Sequence, residues 1–130
     1  MSNPTSPLVY ACSGCSNVAQ LANTLAVRLD RAGLAEMSCI AGVGGRVKSL
    51  VGKATSGRPI LAIDGCPLHC VHACLAQHGV TPDVHITLSE YGLRKRYHQD
   101  CSADEADALF DDMKAIIASD RLRQRALRTG

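Results

Sequence analysis

The chain has 130 residues, the length of a single domain. Its formal charge of +2 is too small to indicate a nucleic-acid or membrane surface, and its few aromatic residues argue against a base-stacking module. No apolar stretch approaches the ~18 residues of a membrane span, and the N-terminus does not resemble a signal peptide. We therefore expect a cytoplasmic protein with no membrane or nucleic-acid partner; homo-oligomer formation and any protein partner stay open.

The apolar pattern predicts strands that alternate with helices along the chain. In the first helix, Val18, Leu21 and Leu25 recur at helical spacing, and Ser102 with Glu105 has the pattern of a capping box for the last helix. In chain order we predict a strand over 8–11, a helix over 16–31, a strand over 37–41, a helix over 46–54, a strand over 60–63, a helix over 67–78, a strand over 84–88 and a helix after Ser102.

This alternation predicts an α/β fold with three layers, in which helices cover both faces of a four-stranded parallel sheet. The first and third strands are entirely apolar and should be central, whereas the mixed second and fourth strands should form the edges, which gives the order 2-1-3-4. We interpret residues 1–7 as a flexible N-terminal tail, 8–120 as one α/β domain and 121–130 as a basic C-terminal tail. Ligands of such sheets bind beyond the carboxyl ends of the central strands.

Cysteine is the unusual residue of this chain, with seven copies. An odd number in a reducing compartment argues against a disulfide framework and favours metal binding or redox chemistry. Cys12 and Cys15 follow the first strand, and Cys66 and Cys70 follow the third, so the predicted sheet order brings both pairs to one crevice. Cys15 and Cys66 should lie at helix N-termini, which favour thiolates. Four such sulfurs suffice for tetrahedral zinc.

Four segments of the chain resemble the DGC-domain family, whose members are proposed to bind zinc and are named for an Asp-Gly-Cys motif. The resemblance extends from Leu8 to Ile117 and is carried by these segments: Cys12-Ser13-Gly14-Cys15, Cys39-Ile40-Ala41-Gly42, Asp64-Gly65-Cys66-Pro67-Leu68-His69-Cys70, and Thr87 with Gly92-Leu93-Arg94-Lys95. It implies zinc as the cofactor, with Cys12, Cys15, Cys66 and Cys70 as ligands, and it implies no established reaction.

Other polar residues have less specific patterns. We predict that Asp64 and Cys39 support the metal ligands without binding the ion: Asp64 could order the thiolate loop, and Cys39 lies near the end of the second strand. Cys74 is too far along its helix from Cys66 to share one ion, and packing is the favoured role. His69 is left near the site, whereas we expect the remaining histidines to be solvated: His72, His78, His85 and His98.

Several functions are compatible with these features. The first is a zinc site with a structural role or a role in sensing metal or oxidants. The second is a thiol redox or sulfur-transfer enzyme that uses the same cysteines. An iron–sulfur or other soft-metal site and an interaction module based on the basic tail are further alternatives. The sequence leaves open whether the protein is an enzyme, and it identifies no substrate.

Overall fold

The computed structural model describes residues 6–119 and 121–122. Most of the two predicted tails, at 1–5 and 123–130, and residue 120 lie outside these described residues. The strands are β1 (Leu8–Ala11), β2 (Glu36–Met37), β3 (Ile60–Asp64) and β4 (Val84–Thr87). The helices are α1 (Asn17–Arg31), α2 (Ile40–Gly44), α3 (Lys48–Ala54), α4 (Cys70–Ala76) and α5 (Ala103–Ile117), and a 3-10 turn covers Leu88–Tyr91.

The four strands form a parallel sheet in the order β2-β1-β3-β4, which confirms the predicted topology. The central strands are in register from Leu8 opposite Ile60 to Ala11 opposite Ile63. Every residue of β1 and β3 is buried, as expected for strands that are covered on both faces. The loops after β1 and β3 therefore leave the sheet side by side at its carboxyl edge.

Helices pack on both faces of this sheet and make the predicted three layers. One core lies between the sheet and helices α1 and α5, with Leu25 and Met113 as fully buried examples. The second core lies on the opposite face, where Val43 of α2 and Leu75 of α4 pack. Leu122 is also fully buried in the first core, so the packed chain extends past residue 120. Within the described part of the chain, no helix has the length and hydropathy needed to cross a bilayer.

The second strand is shorter than the sequence pattern predicts. It ends at Met37, and Cys39 then occupies the N-cap of the short helix α2, so the strand predicted over 37–41 is wrong. The reason is packing: Gly44 brings α2 against α4, and a Cβ at that glycine would lie 2.9 Å from the sulfur of Cys74. The small residue at position 44 thus allows the two helices to approach closely.

Helix α4 begins three residues later than predicted, at Cys70 rather than at Pro67. His69 at its N-cap has a left-handed backbone with φ 56°, which interrupts any helix upstream of it. Cys66 lies in the preceding turn, where its carbonyl accepts a hydrogen bond from the His69 N–H at 3.2 Å. The predicted N-cap position of Cys66 is therefore wrong, and Cys66 and Cys70 do not share a helical face.

Candidate functional site

A cleft of about 160 Å³ lies at the carboxyl edge of the two central strands. The four cysteines that the sequence singles out all line it: Cys12, Cys15, Cys66 and Cys70. Leu68, Lys95 and Tyr97 contribute to its walls. The parallel order of β1 and β3 thus brings together two thiol pairs that are more than fifty residues apart in the sequence.

Cys12 is the innermost thiol of the cleft. Its N–H continues the sheet by donating to the Ile63 carbonyl at 3.1 Å, and its sulfur accepts the Gly65 N–H at 3.1 Å. Burial raises the pKa of the Cys12 thiol to about 11, against the opposing effect of the Gly65 hydrogen bond, and the charges of Asp64, Cys70 and Cys66 raise it further. Cys12 lines the same cleft as both cysteines of the second pair.

The loop that carries Cys15 is fixed by the first turn of α1. Ser16 is the N-cap of this helix, and its hydroxyl accepts the Ala19 N–H at 3.1 Å. The Gln20 amide donates to the Gly14 carbonyl at 2.6 Å and closes the loop from the other side. Cys15 is exposed at the end of this ordered loop and lies outside the strands of the sheet.

Gly65 brings the second cysteine loop against α1. A Cβ at this position would lie 2.7 Å from the carbonyl carbon of Val18 and 2.8 Å from the nitrogen of Ala19. Both are backbone atoms of a helix and cannot move aside easily. Glycine is therefore required for the loop to enter the cleft, and its N–H is then positioned to donate to Cys12.

A cation lies beside the Cys66 sulfur. The Lys95 ammonium donates to it at 3.6 Å, and the same ammonium lies 5.3 Å from the centre of the Tyr97 ring. The hydrogen bond with Tyr97 raises the pKa of Lys95, and the charge of Cys66 adds to this effect. Lys95 is therefore a permanent cation at the wall of the cleft.

Asn17 holds the loop that carries Lys95. Its side-chain amide donates to the Arg94 carbonyl at 2.9 Å and accepts the Arg96 N–H at 2.6 Å, while its own N–H donates to the Arg96 carbonyl at 2.9 Å. The adjacent pair Ser16 and Tyr97 forms an isolated antiparallel bridge. Asn17 is buried at the start of α1, so the lysine loop is fixed to the same helix as Cys15.

The buried carboxylate of Asp64 organises the start of α4. It accepts the Val71 N–H at 2.8 Å and the His72 N–H at 3.3 Å, two groups that have no partner within the helix. His85 of β4 contacts the same carboxylate through Nε2 at 2.8 Å. The predicted ordering role of Asp64 thus applies to the helix that bears Cys70, rather than to the turn around Cys66.

Asp64 belongs to a histidine cluster that sequence reasoning missed. The His85 ring lies 4.8 Å from the His69 ring and 5.0 Å from the His72 ring, and the His69 Nε2 is 3.1 Å from the Thr87 hydroxyl. The sequence predicts that His72 lies at the surface, because it points away from the Cys66–Cys70 face of its predicted helix, and that His85 is solvated, because it has no nearby partner pattern. That prediction is wrong for His85, since helix α4 covers the polar side of β4; the signal was the pair of histidines in the segment that packs there.

The remaining cysteines lie outside the cleft lining. Cys39 is exposed at the N-cap of α2 and is not among the residues that line the cleft, and its role in supporting the metal ligands stays a prediction. The Cys74 sulfur packs towards Gly44, consistent with the predicted packing role. Cys101 is partly buried beside Asn17, and burial raises the pKa of its thiol. His78 was also expected to be solvated, but its Nε2 lies 2.8 Å from the Val43 carbonyl.

The four cleft thiols share a space without being arranged as a finished metal site. Across residues 6–119 and 121–122, no group of three or more histidine, cysteine, aspartate or glutamate side chains is already placed to hold an ion. The single tetrahedron of Cys12, Cys15, Cys66 and Cys70 therefore stays a prediction. The structure supplies the donors, the common cleft and the hydrogen bonds to two of the sulfurs.

Comparison with known proteins identifies relatives of this chain. The model of the DGC domain matches residues 8–113. A protein of Pseudomonas aeruginosa described as "Anaerobic and virulence modulator AnvM" is 69% identical over 111 residues, which cover 85% of each chain. No solved structure gives a significant match.

Proposed function

This chain belongs to the DGC-domain family, and from its cysteine cleft we propose that it binds one zinc ion through Cys12, Cys15, Cys66 and Cys70. The observation that carries the proposal is that all four thiols line one cleft at the carboxyl ends of β1 and β3. Thiolates are favoured ligands of zinc, and four of them complete its tetrahedral shell.

The surroundings of the sulfurs suit a charged thiolate centre. Four thiolates and one divalent ion carry a net charge of −4 + 2 = −2, which the protein must offset. The Gly65 N–H points at the Cys12 sulfur, and the Lys95 ammonium points at the Cys66 sulfur. Such donors stabilise metal-bound thiolates and orient them, as outer-shell partners do in metal sites generally.

Binding requires the sulfurs to converge. Cys15 and Cys70 are both exposed, and both can change rotamer without disturbing the core. A change of χ1 between staggered rotamers moves a cysteine sulfur by about 3 Å. Cys12 must also lose its proton, and the metal supplies the positive charge that makes this favourable despite burial.

A filled four-thiolate shell leaves no coordination position for water, so we propose a structural or sensing site rather than a hydrolytic one. The name of the Pseudomonas aeruginosa relative describes a modulator, which agrees with a sensing role. We also propose that the protein resides in the reducing cytoplasm, where its seven cysteines stay as thiols.

The proposal is tested by elemental analysis of freshly purified full-length protein. We expect one zinc ion per chain in the wild type and almost none in the double variant Cys66→Ser/Cys70→Ser. The matched control is Cys39→Ser/Cys74→Ser, which also removes two thiols but leaves the cleft lining intact. Equal zinc content in the two double variants would contradict the assignment.

The contact between Lys95 and Cys66 favours a second candidate, a thiol redox or sulfur-transfer protein that uses the same cleft. An ammonium beside a sulfur is typical of reactive cysteines. The two candidates differ in the isolated protein: the redox candidate predicts a metal-free chain whose cleft thiols react rapidly, and the zinc candidate predicts a metal-loaded chain whose cleft thiols are protected.

A further inference from the structure

The four cleft cysteines have different surroundings, and Cys66 differs from the others in its contact with a cation. Cys12 is the innermost thiol and accepts a backbone N–H, whereas Cys15 and Cys70 are exposed. Cys66 is partly buried, and its sulfur lies 3.6 Å from the Lys95 ammonium. An incoming anionic group would therefore meet a positive charge at this sulfur.

The walls of the cleft combine this positive charge with apolar surface. Lys95 is the cation of its loop that lines the cleft, and the exposed Arg94 and Arg96 are its neighbours in the sequence. Leu68 and Tyr97 line the same cleft and are 72% and 54% exposed, which leaves apolar surface beside the charges. Small molecules that combine carboxylates with short apolar segments match the cation and the apolar surface of these walls.

We propose that Cys66, in the metal-free form of the zinc site proposed above, is an S-thiolation site for small disulfides that carry carboxylate groups. In this step the Cys66 sulfur attacks one sulfur of the disulfide RS–SR. The new Cys66–SR bond forms, the RS–SR bond breaks, and the departing RS group leaves as a thiol with the proton that Cys66 gave up. One protein sulfur and one sulfur of the disulfide thereby exchange partners, and no further oxidant is needed.

The effect of this modification on metal binding rests on the zinc site proposed above. A sulfur held in a mixed disulfide cannot ligate zinc, so S-thiolation and metal binding exclude each other at this cleft. Accumulation of disulfides would then keep the site empty, and loaded zinc would protect Cys66. The cleft would report the thiol–disulfide balance of its surroundings through its metal content.

The site is tested with full-length protein from which metal has been removed, incubated briefly with glutathione disulfide and quenched with acid. Intact mass and peptide mapping should show one glutathionyl group, attached to Cys66. Exposure alone would direct the reagent to Cys15, Cys39 or Cys70 instead. An adduct mainly on any of these residues, or no adduct, would overturn the proposal.

The role of Lys95 is tested with three reagents of different charge: anionic glutathione disulfide, neutral bis(2-hydroxyethyl) disulfide and cationic cystamine. Loss of one favourable exposed charge contact should slow a reaction about fivefold. We expect Lys95→Met to slow the anionic reagent about fivefold relative to the neutral one, and we expect Lys95→Arg to retain the wild-type preference. Equal slowing of all three reagents would show that Lys95 does not recognise the carboxylates, and would refute the proposed substrate class.

Zinc measurements separate this inference from the proposed function. If the purified protein contains zinc but its metal-free form gives no Cys66 adduct, the S-thiolation proposal fails and zinc binding stands. If no zinc binds but the adduct forms at Cys66, zinc binding fails and the modification site stands. If zinc-loaded protein reacts with glutathione disulfide as fast as metal-free protein and releases no zinc, then S-thiolation and zinc binding do not exclude each other.

Discussion

Replacement of Asp64 by alanine should destabilise the protein strongly, because a buried carboxylate joins two parts of the fold. It accepts hydrogen bonds from the Val71 N–H and from His85, each at 2.8 Å, and a longer one from His72 at 3.3 Å. Each hydrogen bond to a charged group contributes roughly 1.5–3 kcal/mol, and the two short ones set the scale. We therefore expect Asp64→Ala to lower the free energy of unfolding by about 3–6 kcal/mol.

Urea denaturation of the full-length chain, followed by circular dichroism, measures this change. Asp64→Asn retains one acceptor oxygen for the Val71 N–H and should lose about half as much stability. The control is Asp111→Ala, which removes an aspartate whose side chain is 73% exposed and paired with Lys114, and which should change stability by less than ~0.5 kcal/mol. An Asp64→Ala protein within ~1 kcal/mol of the wild type would refute the role assigned to this carboxylate.

Three further changes probe the cleft and its supports. Gly65→Ala should lower the free energy of unfolding by about 1–3 kcal/mol in urea denaturation, because the new Cβ would meet the backbone of α1. The control Gly52→Ala places its Cβ in open space and should raise the free energy of unfolding by about 0.5–1 kcal/mol. Similar values for the two variants would contradict the packing argument. Asn17→Ala removes two side-chain hydrogen bonds and should lower the free energy of unfolding by about 2 kcal/mol. It should also accelerate amide hydrogen exchange over residues 94–97. Unchanged exchange there would contradict the role of Asn17 in holding this loop. Burial raises the pKa of Cys12 from 9.0 to about 11, so its alkylation in metal-free protein should become rapid only near pH 11. The free energy of unfolding should also fall as the pH rises from 9 to 11, because the thiol ionises first in the unfolded chain. Rapid labelling of Cys12 at neutral pH would show that it is not buried as described.

The sheet order could be predicted because hydrophobicity alone distinguishes the central strands from the edge strands. Leu8–Ala11 and Ile60–Asp64 are buried along their whole length, and only covered strands tolerate so apolar a composition. The second strand was harder, because glycines between Met37 and Lys48 indicate a turn as readily as the close contact of α2 with α4. The residues next to a glycine in the sequence do not show which distant helix packs against it.

Much of the site followed from the same topology. Two adjacent parallel strands end at one edge, so cysteines directly after them must meet, and the structure places Cys12 and Cys66 in one cleft. The contact of Lys95 with Cys66 could not be predicted, because Lys95 reaches the cleft through a loop that Asn17 holds from the opposite end of the chain. The contact of His85 with Asp64 was likewise hidden, since alternation along β4 does not show that α4 covers its polar side.

The central claim is that four sulfurs bind one metal ion, and zinc K-edge X-ray absorption of purified, zinc-loaded protein tests it most directly. We predict a first shell of four sulfur atoms at ~2.3 Å. Nitrogen or oxygen ligands at about 2.0–2.1 Å would instead indicate a site at the histidine cluster of His69, His72 and His85, and would contradict the assignment to Cys12, Cys15, Cys66 and Cys70.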